Sequence, residues 1–344
     1  MTLVFNYFRD LIRLSRGNWN RFWFTPQDPA TLSLIRIAAG AMLFYTHLVW
    51  TLELDAFFGP NSWLSLDAVK SLRTSDSGWS LWWLAESPVV MWGMHLFALG
   101  VFACLTVGLF SKPASILAWI FTLSYAHRAP TALYGLDQVN GFLSMYLMFG
   151  QCGARYSLDA WLARRRNPGS ALSGRVPATV GTNISLRLIQ LHMCVVYFFA
   201  GISKLQGPSW WDGTAFWGAI ANAEYQTLDL TWLVHHPRII NVLTHVTILW
   251  EIFYCVTVWN RWTRPLTLLV AIPLHLGIAF GFGMITFGVA MLIANMAFVP
   301  AWLVRAVLER QPLPETPSGE TARVIPAPKM LQHFPKRATR EPLR

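Results

Sequence analysis

The sequence predicts an all-α, polytopic membrane helix bundle of about eight transmembrane helices, N-in/C-in, with an amphipathic N-terminal helix. Three observations predict it. Of the 344 residues, 54% are hydrophobic and only 13% are charged, whereas soluble domains carry roughly 25% charged residues; mean hydropathy is +0.39. Apolar stretches close to the length of about 20 residues that crosses a bilayer recur along the chain. Lys and Arg alternate from one connecting segment to the next in the way that sets membrane orientation.

The apolar stretches fall at 32–52, 88–110, 113–125, 139–152, 184–204, 239–259, 265–280 and 284–304. The third, fourth and seventh are short or bounded by Gly and Pro. Only Gly281, Phe282 and Gly283 separate the last two, which predicts a tight hairpin or a re-entrant pair. With the N-terminus inside and eight crossings, 21 of the 27 Lys and Arg face the cytoplasm, five face outward and Arg36 lies within the membrane. A missed or extra helix would scramble that bias. The net charge of +10 therefore reads as cytoplasmic loops facing anionic membrane lipid. Nucleic acid is not expected as a partner, because no basic stripe accompanies a soluble fold.

Residues 1–25 read as an interfacial amphipathic helix, with Phe5, Phe8, Leu11 and Ile12 on one face and Arg9, Arg13 and Arg16 on another. No cleavable signal sequence is expected there. Residues 26–306 form the transmembrane domain, and 307–344 a basic cytoplasmic tail, rich in Pro and expected to be disordered. Two longer segments on the outer side, 53–87 and 206–238, are expected to be structured. The second carries Trp210, Trp211, Trp217 and Trp232 and is expected along the outer interface. Cys104, Cys152, Cys194 and Cys255 lie in or beside apolar stretches without a CxxC or His/Cys spacing, so they read as small buried hydrophobes and no metal is expected.

Ionisable side chains at membrane depth are costly and mark either function or pairing. Arg36 stands one turn inside the first helix, where it snorkels to the surface or serves a site. Asp137 precedes the fourth helix, and Glu251 lies within the sixth; either is placed to pair with Arg36 or Arg128. His275 and the other membrane histidines read first as hydrogen-bonded packing residues, and none has the i, i+4 partner of a zinc site. Lys204 ends the fifth helix on the outer side, against the charge bias, after Phe198, Phe199 and Ala200. It either snorkels outward or, buried beside aromatics, is held as a neutral amine able to act as a general base.

At these residues the chain resembles the transmembrane portion of vitamin K-dependent gamma-glutamyl carboxylase, within the horizontally transferred transmembrane (HTTM) domain proteins. Asp28-Pro29-Ala30-Thr31-Leu32 with Ile35-Arg36-Ile37 resembles the start of the family's first helix. Tyr156-Ser157-Leu158-Asp159 with Ala163-Arg164-Arg165-Arg166 resembles its cytoplasmic stretch. The most specific match runs from Val196 to Leu205, with Tyr197, Gly201 and Lys204 inside it and Trp210 following. His275, Phe287, Met291 and Leu292 sit at family spacing. The likeness spans roughly residues 28–300.

The resemblance implies a quinol-dependent lyase of the carboxylase type, set in the cell (inner) membrane with its site facing the extracytoplasmic side. It implies a reduced quinone, vitamin K- or menaquinol-like, as cofactor, and a secreted protein or peptide as substrate. Lys204 falls on the family's proposed base. Asp137 is the nearest polar counterpart of the family's Asn-Asn-His at the fourth helix, where this chain has Gly135-Leu136-Asp137-Gln138. His275, Glu251, Arg36 and Tyr197 are the expected cofactor-side polar set. A lysine amine can take a phenolic proton but not an unactivated carbon-bound one, so quinol oxidation has to supply the harder step. The chain has no counterpart of the family's large extracytoplasmic domain, which leaves a second expectation: a non-catalytic maturation or scaffold partner of a secreted peptide or protein. A transporter finds no support in inverted repeats.

Overall fold

A computed structural model describes residues 2–72, 78–166 and 176–310, with side chains from Phe5 onward. Most of the expected tail, 311–344, lies outside them. Among the described residues the fold is all-helical; the one β-bridge noted, Gln27 with Thr179, ties two helix-flanking segments together. The longer helices are α1 (Thr2–Phe24), α2 (Ala30–Trp50), α3 (Pro88–Val107), α4 (Ser111–Arg128), α5 (Gly135–Leu147), α6 (Leu158–Arg166), α7 (Val180–Lys204), α8 (Pro237–Thr257), α9 (Arg264–Gly281), α10 (Ile285–Asn295) and α11 (Ala301–Leu308). The first seven apolar stretches fall mainly on α2 to α5 and α7 to α9, whereas the eighth, 284–304, is divided between α10 and α11.

Among the described residues five helical stretches are long and apolar enough to cross a membrane: Ala30–Phe58, Pro88–Val107, Val180–Lys204, Pro237–Thr257 and Arg264–Gly281. A sixth candidate is the pair Ile285–Phe298 and Ala301–Leu308, which turns by 111° at its break. The break is chemical in origin. Val299 precedes Pro300, and a residue before proline is pushed out of the helical region; Val299 sits at ψ 126°.

Local signals set the other ends. Ser87 caps α3 and Pro88 opens it, while Gly108 closes it at φ 73°. The Thr179 side chain accepts a bond from the Thr182 amide at the start of α7. Between α9 and α10, Gly283 takes φ 68° in a tight hairpin.

The apolar core divides in two around α2. Leu32, Ile35, Ala39 and Met42 pack with α5, α7, α8 and α10. Leu43 packs with Met91, Phe102 and Leu105 of α3 and Phe121 and Tyr125 of α4. Apolar residues also face outward, such as Val242, Val246, Phe253 and Val256 on α8 and Leu266, Leu269 and Phe280 on α9. A water-soluble fold would bury such stripes; a bilayer accepts them.

One end of the bundle, where α2, α4, α7 and α9 begin, is held by charge. Asp28 accepts from Arg155 Nη2 at 3.2 Å and Arg305 Nη1 at 2.9 Å, and from the Ala30 amide at 2.9 Å. Arg155 and Tyr156 both donate to Glu309, at 2.9 and 2.8 Å. Burial, followed by that bond to Glu309, pushes the Tyr156 phenol up, so it stays a donor.

Helices approach most closely at small residues. A Cβ on Gly288 of α10 would stand 2.4 Å from the His275 carbonyl oxygen on α9. Backbone on the far side cannot swing away. Gly288→Val is therefore expected to lower stability by about 1–3 kcal/mol, read as a fall in melting temperature in detergent. Gly100→Val, with open space around the site, is the control expected to melt with the parent.

Candidate functional site

The most polar part of the larger core lies where α7, α8, α9 and α10 meet. Gly201 makes the meeting possible: a Cβ there would lie 2.7 Å from Ile252 and 3.2 Å from the Glu251 Cβ. Side chains on a helix lean toward its N-terminus. Lys204 on α7 and Glu251 on the antiparallel α8 therefore lean toward each other. Lys204 Nζ lies 2.7 Å from Glu251 Oε2 and 3.0 Å from Oε1.

The Lys204 amine also stands 3.4 Å from the Ala200 carbonyl and 5.4 Å from the centre of the Trp210 ring. It points back along α7, not outward to a surface, so outward snorkelling is not the arrangement found. Nor is the amine solitary. Glu251 pairs with it, and not with Arg36 or Arg128. Glu251 lies 14 residues into α8, about 21 Å from its start at 1.5 Å per residue, so the pair sits well inside the bundle. The side chains are 24% and 9% exposed, and Phe199 and Ile202 beside the lysine face outward. The pair is thus reachable from the lipid-facing side of α7.

Next to the pair runs a buried hydrogen-bonded chain. The Asn295 amide nitrogen donates to the Met291 carbonyl at 2.9 Å and to Tyr197 Oη at 2.8 Å. Tyr254 donates to Asn295 Oδ1 at 2.7 Å. Tyr197 Oη and His275 Nε2 are hydrogen-bonded at 2.5 Å, the direction being set by the histidine tautomer. Tyr197 packs against Trp250 and Tyr254. Tyr197, His275, Glu251 and Lys204, four of the residues singled out in the sequence, thus come together.

Asn295 and Tyr254 join them and were missed. The signal was present for Asn295: it is the one side-chain amide in the otherwise apolar Ile285–Asn295, and such groups need partners in a membrane. Tyr254 reads from sequence as one more apolar aromatic.

Asp137 and Arg36 are elsewhere. Asp137 caps the start of α5 by accepting from the Tyr134 amide at 3.0 Å. With Asn140 it lines a small cavity of about 10 Å³ shared with His47 of α2 and Thr122 and Tyr125 of α4. Arg36 is fully buried near the opposite end. Its guanidinium donates to four carbonyls: Cys152 at 3.1 Å, Leu105 at 2.5 Å, Thr106 at 2.8 Å and Tyr156 at 2.6 Å. Arg128 is likewise spent on the 59–64 loop, bonding to the Leu64 carbonyl and the Ser62 hydroxyl. Among the described residues no group of three or more His, Cys, Asp or Glu could hold a metal ion.

No protein family, curated protein or solved structure matches this chain. What it does has therefore to be argued from the polar cluster itself. A cation and a carboxylate side by side, reachable from lipid and backed by a fixed tyrosine–histidine chain, can hold and pass a proton. They can also cross-link two helices.

The Arg36 clasp carries a prediction of its own. A lysine presents three donors from one point and cannot fork to four carbonyls. Arg36→Lys is expected to cost about 3 kcal/mol, seen as a lower unfolding midpoint in detergent. An unchanged midpoint would mean that those carbonyls find other donors.

Proposed function

We propose that this protein is an HTTM-type membrane enzyme that takes a proton from a reduced isoprenoid quinone. The observation that carries the reading is the Lys204–Glu251 pair at 2.7 Å, inside the stretch Val196–Leu205 that resembles the carboxylase family. In this reading eight helices cross the inner membrane. Both termini are cytoplasmic, and the Trp-rich segment after Lys204 lies on the extracytoplasmic side. The 21-to-five division of Lys and Arg supports that orientation.

The residues fit a quinol ring. The pair offers one cationic donor and one anionic acceptor, Trp210 and Phe199 offer aromatic surface, and access is from the lipid side, where an isoprenoid chain dissolves. When bound, a reduced quinone supplies the phenolic hydroxyl and the reducing electrons. The Lys204 ammonium passes a proton to Glu251 Oε2, 2.7 Å away, and the neutral amine so formed takes the phenolic proton, which leaves a protonated carboxyl beside an ammonium. His275 and Tyr197, held by Asn295, form the fixed wall behind the pair. Asp137 and Arg36 stand away from it and serve as a helix cap and a backbone clasp. The acceptor of the lyase reaction is a secreted protein or peptide.

Lys204→Ala and Glu251→Gln are each expected to keep the melting temperature within a few degrees and to lose quinol turnover by about 10²-fold or more. Turnover near the parental rate in Lys204→Ala would remove the lysine from the chemistry. A second reading also has an observation behind it: the pair joins α7 to α8 where Gly201 brings them into contact, as a purely structural tie would. As a non-catalytic maturation or scaffold partner, the protein would tolerate Lys204→Met with Glu251→Met. It would still co-purify with the same secreted partner and carry no quinone.

A further inference from the structure

Three helices from distant parts of the sequence gather at the Arg36 end of the bundle, α1 and α11 amphipathic and α6 short and basic. α1 is tied to the start of α7, where Asn183 Nδ2 donates to the Phe22 and Trp23 carbonyls at 2.8 Å each. The Arg187 guanidinium lies 4.4 Å from the Phe22 ring. α6 is tied to the start of α4 through Asp159, which accepts from the Phe110 and Ser111 amides at 2.9 and 2.7 Å. α11 turns sharply from α10 and is tied to the start of α2 through Arg305 and Asp28. Each exposes a tryptophan: Trp19, Trp161 and Trp302.

Among the described residues α1 is fastened at its C-terminal end, and residues 5–21 are exposed throughout. Two stripes run along it. Phe8, Leu11, Ile12 and Trp19 form the apolar one; Arg9, Arg13, Arg16 and Asn20 fall at helical spacing on the other. Phe8 and Trp19 are 55% and 61% exposed, and a helix does not leave such a face in water. Crossing the bilayer is closed to it, since each Arg at the centre costs about 2.5–3.5 kcal/mol. On α6, Arg164, Arg165 and Arg166 follow Trp161, and Arg165 stacks on that ring at 3.9 Å. The opposite end carries more acids, among them Glu53, Asp55, Asp67, Asp212 and Asp229, alongside Lys70, Arg128 and Arg238.

We propose that α1, with α6 and α11 at the same end of the bundle, seats on a bilayer leaflet rich in anionic phospholipid, its apolar stripe in the acyl boundary and its arginines on the phosphates. Charge selects the occupant. A second copy would set one Arg stripe against another, and a zwitterionic surface would leave the arginines without counter-charge. The proposal does not use the quinol reading, and its test involves no turnover.

The test is hydrogen–deuterium exchange of the full chain in nanodiscs of phosphatidylcholine alone and with about one-third phosphatidylglycerol. Amides of residues 5–21 are expected to exchange at least tenfold more slowly with phosphatidylglycerol. Each arginine removed should return about fivefold, so that Arg9→Gln/Arg13→Gln/Arg16→Gln abolishes the difference while the bundle's exchange and melting stay unchanged. Equal exchange in the two discs overturns the proposal. So does protection that follows the number of copies per disc and ignores the lipid, which would assign the face to a second copy.

Discussion

A backbone carbonyl in hydrocarbon has no water to bond, and this constraint organises the molecule. Helices satisfy it along their length but not at their ends. In this fold the end of α3 and the loop between α5 and α6 come together beside α2, and the carbonyls of Leu105, Thr106, Cys152 and Tyr156 converge there. Arg36 takes all four. A guanidinium has five donors and no acceptor, so it suits a site made only of carbonyls. That clasp fixes the depth and rotation of α2, and both apolar cores pack on α2. The Arg36 cluster is thus what lets two half-bundles share one helix.

Where the helices lie was legible in the sequence, because hydropathy and Gly/Pro punctuation act locally. The ends of α3 and α7 follow from Ser87, Gly108 and Thr179, and the turn after α9 from Gly283. The shorter α5 and α10 were harder, at 13 and 11 residues, since neither reaches spanning length alone. Partner choice was less legible still. Glu251 was expected to pair with Arg36 or Arg128, and only the rotation of α7 and α8 about their axes decides for Lys204, 47 positions away. Arg36 looked like half of an ion pair because charge in a membrane suggests opposite charge. Its real partners are peptide carbonyls, which no residue letter announces.

The pairing changes what Lys204 can do. A lone amine in hydrocarbon would be a base with nowhere to send its proton. Beside a carboxylate it is part of a unit whose total charge stays the same when the proton shifts between partners. Proton transfer within the pair avoids the large cost of making a new charge in a medium of low dielectric. The Tyr197–His275–Asn295–Tyr254 chain adds rigidity. The Asn295 amide and the Tyr254 hydroxyl each have definite partners in it, which hold the wall behind the pair in place.

A buried ion pair is weak support for stability, because desolvation offsets most of the attraction, and apolar residues of similar volume usually serve as well. The helices here show that alternative in use: α9 and α10 approach to backbone contact at Gly288 with no charge at the contact. α7 and α8 have the same device at Gly201, and so did not need a lysine and a glutamate to hold together. The charges add a desolvation cost to an interface that small residues already close, and one of them stays partly open to the lipid-facing side. A cost kept where packing does not require it, and left accessible, is what the proposed proton handling would call for.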